Sequence, residues 1–171
     1  MNYFEIFNIT VAFEIDLKNL KQVYLKLSRL YHPDFSTQDS EEIQEENLRM
    51  SALVNEAYKV LENEDLRLEY ILNINNLLDE TENRKLLPQS FLIEMMELNE
   101  ELQDLKLSNS NSEISLFKEK LNIYSDSLKN ELVEFSNKNV QPVIDNNNLN
   151  HWLLYYLKKR YLKRLYQQIE S

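Results

Sequence analysis

The chain has 171 residues, is 43% hydrophobic and 28% charged, carries a formal net charge of −10, and contains neither glycine nor cysteine. That length accommodates one sizeable domain or two small ones, and a chain without glycine is poorly suited to the tight turns of sandwiches, barrels and doubly wound sheets, so an all-α architecture is expected. Disulfides, thiolate nucleophiles and cysteine-ligated zinc or iron–sulphur centres are excluded, and the acidic balance works against binding to a phosphate backbone.

In chain order, a short helix is expected at Tyr3 to Phe7. A longer one starts at Leu17 behind Asp16, a favourable N-cap, with Leu20, Val23, Tyr24, Leu27, Leu30 and Tyr31 at the three-and-four spacing of one buried face. Lys18, Lys21, Lys26 and Arg29 make its outer face positive. Pro33 lacks a backbone donor and pushes His32 out of helical geometry, so this helix should end at about Tyr31 and leave His32-Pro33-Asp34 on a loop. The next helix is read from Glu41, with Ile43, Met50, Leu53, Val54, Ala57, Tyr58 and Leu61 on one side and four glutamates in its first turns, where the helix dipole favours anions. Another is expected from Asp65 to Leu78.

Periodicity is then lost over a polar stretch ending near Pro88, which reads as a linker over residues 76–87. Beyond it, "SFLIEMMELNEELQDL" is helical, with Phe91, Met95, Leu98, Leu102 and Leu105 as a core stripe. Leu92, Ile93 and Met96 lie on a different side, bordered by Glu97, Glu100 and Asp104. Two readings are open for this surplus strip: a docking face rimmed by carboxylates, or a helix buried on two sides. A polar break at "SNSNSE" precedes a helix carrying Phe117, Leu121, Tyr124, Leu128, Leu132 and Phe135. Pro142 and an asparagine run mark one more break before a last helix from Leu149 to Ile169. Three helices with short connections make an antiparallel bundle.

Catalysis has little support. His32 and His151 are the only histidines and form no helical metal pair, and a glycine-rich phosphate loop is impossible. A metal-dependent hydrolase using His32 and Asp34 stays as a rival reading. The basic run Lys158, Lys159, Arg160, Lys163 and Arg164 reads as nucleic-acid binding or as helix-end stabilisation and pairing with acidic neighbours, and the acidic balance favours the latter. With no basic–apolar leader and no apolar run long enough to cross a bilayer, a cytoplasmic location without membrane attachment is expected.

The order of "NYFEIF", a positive helix, His32-Pro33-Asp34 and "VNEAYKVL" resembles a J domain over about the first 75 residues. "RLEYIL" (67–72), "FLIEMMELNEEL" (91–102) and "RYLKRL" (160–165) are similar to stretches of the HscB family, J-type co-chaperones of iron–sulphur cluster biogenesis. The resemblance implies an all-α protein with a J domain over 1–75 (an antiparallel helical hairpin with two short helices), the linker, and a three-helix scaffold-binding domain over 88–171. It implies two partners, a DnaK-like ATPase chaperone (HscA) and the cluster scaffold IscU, and no cofactor of the chain's own, since ATP and cluster belong to the partners. His32, Pro33 and Asp34 would trigger the chaperone's ATPase, with Lys21, Lys26, Tyr24 and Arg29 on its docking helix. Leu92, Ile93, Met96, Glu97, Glu100 and Asp104 would meet the scaffold, with Tyr161 where the family usually has Phe. Phe35 stands where J domains usually carry a basic residue, a departure expected to weaken chaperone docking. Glu64 stands where the family commonly has Pro, and is expected to loosen one turn. A general J protein delivering unfolded clients is the rival within this class, although the chain lacks the glycine–phenylalanine linker and cysteine-rich region of many such proteins.

Overall fold

The computed structural model describes residues 2–35, 40–79, 83–108, 110–138 and 146–170, and is all-α. The chain divides into two compact units, residues 1–75 and 76–171. The first holds α1 (Tyr3–Ile6), α2 (Leu17–Leu30), a 3₁₀ turn (Pro33–Phe35), α3 (Glu41–Glu62) and α4 (Glu64–Ile74). The second holds a 3₁₀ turn (Arg84–Leu86), α5 (Gln89–Ser108), α6 (Asn111–Lys138) and α7 (Asn146–Glu170).

Local chemistry sets the ends of these helices. Asn2 and Glu5 form a capping box on α1, each side chain bonding the other's backbone N–H. Asp16 caps α2 by accepting from the amides of Lys18 and Asn19. Asn63 caps α4 by accepting from Asp65 and Leu66, both at 3.0 Å. The turn before α4 is therefore held by the Asn63 cap. Without glycine, the left-handed residue that stops a helix falls to asparagine: Asn8 (φ 52°) follows α1 and Asn76 (φ 56°) follows α4. That stop at Asn76 ends α4 at Ile74, short of the expected Leu78.

In the first unit α2 packs against α3, and α1 and α4 also pack against α3. The core is Phe4, Phe7, Phe13, Leu20, Val54, Ala57, Leu61, Leu68, Ile71 and Leu72. All of it lies at the end of the α2–α3 hairpin that α1 and α4 cover. Toward the loop, among the described residues, nothing comparable overlies the hairpin, and two residues expected on buried faces stand in solvent: Leu30 is 64% and Ile43 49% exposed. Between these ends the helices are joined by Tyr24 and Tyr58, whose rings stack at 4.0 Å, and by the Tyr24 hydroxyl donating to Asn55 at 3.0 Å.

Arg67 is the charged side chain buried in this core. Its Nε donates to the Phe13 carbonyl at 2.7 Å, and its Nη1 to the carbonyls of Leu61 and Glu62 at the C-terminus of α3. One guanidinium thus ties the loop before α2 and the end of α3 to α4, where the carbonyl ends of a helix favour a cation.

In the second unit α5, α6 and α7 pack pairwise around Phe91, Met95, Leu98, Leu102, Phe117, Leu121, Leu128, Leu132, Leu162 and Leu165. Two expected breaks are shorter than read. The helix after "SNSNSE" already begins at Asn111, and the asparagine run is the first turn of α7, with Asn148 buried. Serine and asparagine interrupt helix interiors but also favour helix starts, and here they act in the second way. Pro142 and the side chain of Phe135 lie outside the described residues.

Two outcomes follow from these contacts. Arg67→Met leaves the carbonyls of Phe13, Leu61 and Glu62 without their charged donor and should lower the unfolding free energy of the first unit by about 2–4 kcal/mol in urea titrations. The Glu62 carboxylate accepts from the Tyr58 hydroxyl at 2.7 Å and, with burial, pushes that phenol up to about 12. Because the neutral form is favoured in the fold, this contribution is complete below the unfolded tyrosine value of ~10 and is lost as pH rises through the folded value. Tyr58→Phe should remove that alkaline decline from melting temperatures measured across the same window.

Candidate partner-binding surfaces

The first surface is the corner after α2. The Tyr31 amide closes the helix on Leu27 and Arg29, and the His32 amide donates to the Arg29 carbonyl at 3.4 Å. Pro33 then opens the 3₁₀ turn. The Asp34 amide donates to His32 Nδ1 at 3.2 Å, so the imidazole is held by the backbone two residues on. The Asp34 carboxylate lies 3.6 Å from the same nitrogen, and its side chain is 83% exposed against 50% for His32. His32, Pro33 and Asp34 are thus brought together on a stiff, solvent-facing corner. Among the described residues no cluster of three or more His, Asp or Glu is placed to hold a metal ion. Phe35 closes the turn, and its side chain lies outside the described residues.

On α2, Lys21, Lys26 and Arg29 are exposed, while Tyr24 is half-buried in its stack on Tyr58. Tyr24 is thereby fixed among the cations. Asn55 and Tyr58, which fix it, escape a reading of α2 alone, because the contacts join residues 31 and 34 positions apart. Tyr58 was legible only as an apolar position of α3.

The second surface is on α5. Phe91, Met95, Leu98 and Leu102 face the core, as their spacing requires. Leu92 is half-buried, Ile93 is 49% and Met96 63% exposed, and Glu97, Glu100 and Asp104 are exposed beside them. Burial of α5 on two sides is therefore ruled out at Ile93 and Met96. Glu94 and Glu101 leave this rim for α6: the Tyr124 hydroxyl donates to Glu94 at 2.8 Å, and Lys120 reaches Glu101 at 2.6 Å. Burial and the Glu94 carboxylate push the Tyr124 phenol well above its usual range, which keeps it a donor. On α7, Tyr161 is half-buried and meets Phe91 edge-on at 5.7 Å.

Four of the five cations in the basic run of α7 are engaged with their surroundings. Lys158 lies 3.9 Å from Glu131 and over the Phe91 ring, while Lys159, Arg160 and Arg164 lie over Tyr155, Tyr156 and Tyr161. Among the described residues no helix is long and apolar enough to cross a membrane.

Comparison with known proteins gives the family of each unit. Residues 2–70 match the DnaJ domain family, and residues 87–170 match the HSCB C-terminal oligomerisation domain family. A co-chaperone protein HscB homolog of Colwellia psychrerythraea is 40% identical over 108 residues, 63% of this chain and 62% of the relative, so the match spans just under two thirds of that protein. The homolog of Aliivibrio salmonicida is 37% identical over 68% of each chain, and that of Shewanella halifaxensis 31% identical over 77% of this chain and 76% of its own. The structure of chaperone HscB from Vibrio cholerae superposes with a TM-score of 0.75 at 25% identity, covering 99% of this chain and 96% of that one. Human co-chaperone HscB shares the fold, with a TM-score of 0.71 at 24% identity over 99% of this chain and 81% of its own. A J domain bearing an exposed His-Pro-Asp corner, followed by a helical domain of this one type, identifies the chain as a member of the HscB family of J-domain co-chaperones.

Proposed function

We propose that the protein binds the iron–sulphur cluster scaffold IscU, delivers it to the DnaK-like chaperone HscA, and stimulates that chaperone's ATPase. In this reading it is an adaptor of the cytoplasm with no enzymatic activity or cofactor of its own, ATP and cluster belonging to the partners, and it binds neither nucleic acid nor membrane. The observation that carries the scaffold half is the exposure of Ile93 and Met96 in a unit whose core is complete without them. Apolar surface left out beside Glu97, Glu100 and Asp104 supplies affinity through burial, and the carboxylates restrict which partner fits.

The chaperone half is supported by the corner. Lys21, Lys26 and Arg29 attract an acidic partner and speed encounter, and Tyr24 is already ordered by its stack. The proline-stiffened turn presents His32 and Asp34 with little ordering cost on binding. The exposed Asp34 carboxylate competes for an arginine in the chaperone and shifts a conformational population. Two surfaces on one chain raise the effective concentration of scaffold beside the chaperone.

Steady-state ATPase assays and calorimetric titration separate the halves. Asp34→Asn should abolish stimulation of the chaperone and leave scaffold affinity unchanged. The combined Leu92→Ala, Ile93→Ala, Met96→Ala variant should weaken scaffold binding by about 2–4 kcal/mol, roughly 30-fold to several-hundred-fold, and retain direct stimulation of the chaperone. Loss of both activities in either variant contradicts the assignment of one partner to each surface.

A further inference from the structure

The geometry of the second unit fixes what flanks the α5 strip on its α7 side. α5 runs antiparallel to α6, because Glu94 meets Tyr124 and Glu101 meets Lys120. α7 also runs antiparallel to α6, because the Tyr166 hydroxyl donates to Asn122 at 2.7 Å and Lys158 approaches Glu131. α5 and α7 are therefore parallel, and the contact of Phe91 with Tyr161 sets their register. Arg164, just under one turn beyond Tyr161, comes level with the turn from Leu92 to Met96.

The angular positions agree. With Glu94 and Glu101 directed at α6 and Phe91, Met95 and Leu98 at the core, a rotation of about 100° per residue puts Leu92 and Met96 on the flank toward α7. Ile93, Glu97, Glu100 and Asp104 form the outer ridge. The strip therefore has an acidic rim on one side. On the other, the exposed Arg164 holds its guanidinium over the Tyr161 ring, 5.6 Å from the centroid.

We infer that Arg164 is a specificity-determining residue of this surface, the cationic rim opposite the acidic one, and that it pairs with a carboxylate on the scaffold. The inference rests on the reading of α5 as the scaffold-binding face and adds the direction of docking. An apolar strip alone is non-directional, and rims of one sign would accept a ligand either way round. Rims of opposite sign favour one orientation and oppose the reverse by like-charge repulsion. Stacking on Tyr161 restrains the guanidinium while its planar edge stays available for a bidentate carboxylate.

The test is calorimetric titration of purified scaffold into the full chain, with circular dichroism melts confirming that each variant is folded. Arg164→Glu should raise Kd at least ~10-fold and Arg164→Lys by less, since lysine keeps the charge but loses the bidentate edge. Lys163→Glu makes the same charge change at an exposed residue about 200° around the helix from Tyr161, and should leave Kd within ~2-fold. The deficit of Arg164→Gln should shrink as ionic strength rises from ~0.05 to ~0.5 M. Wild-type affinity in Arg164→Glu, or equal losses in Arg164→Glu and Lys163→Glu, overturns the inference. Failure of the wild-type chain itself to bind scaffold is a separate result, which overturns the reading of α5 and the inference with it.

Discussion

The first unit depends on the Arg67 guanidinium. The loop before α2 and the end of α3 each present backbone carbonyls to an apolar interior, and such groups are costly when left without donors. A single cation from α4 satisfies three of them, so α4, the loop and α3 are clamped at one end of the hairpin. Burial lowers the affinity of Arg67 for its proton, yet a guanidinium starts from so high a value that it stays charged. Because the core is gathered at the clamped end, the far end of the hairpin can be apolar in places, exposed and devoted to presenting His32, Pro33 and Asp34.

The second unit solves a different problem with one helix. On α5 the residues at three-and-four spacing complete the bundle, while Ile93, two positions after Phe91, and Met96, one after Met95, stand outside it. Neither set is needed by the other. Removing Ile93 or Met96 side chains costs the bundle little buried area, whereas removing Met95 or Leu98 opens its core. This separation lets a binding surface change without the fold changing, and it lets the same helix carry a rim of carboxylates that a buried face would not tolerate.

Much of this was legible in the sequence, for identifiable reasons. Asp16 and Pro33 bracket α2 with a cap and a breaker, and Phe91, Met95, Leu98 and Leu102 declare the buried side of α5 by spacing alone. The limits are equally physical. Periodicity gives the face of a helix but not the length of its neighbours, so Leu30 and Ile43 look buried although among the described residues they are exposed. Asparagine reads as a breaker in a chain whose asparagines also cap and stop helices, which hid the true start of α7 and the support under Glu64. A charged residue reads as surface, which hid Arg67. The place of Arg164 beside Leu92 and Met96 needs the relative register of two helices some seventy residues apart, and no local pattern contains that.

The two candidate surfaces differ in the interactions they offer, and this difference suits the roles proposed for them. The corner is pre-ordered: its hydrogen bonds to the chain's own backbone fix its shape, while its exposed carboxylate and neighbouring cations supply charge. Such an element associates quickly, because steering by charge raises the encounter rate. The α5 strip offers the reverse, apolar area whose burial slows dissociation. The proposed role, holding one partner while touching another, would draw on this asymmetry. Exchanging the two would have the chaperone held and the cargo lost.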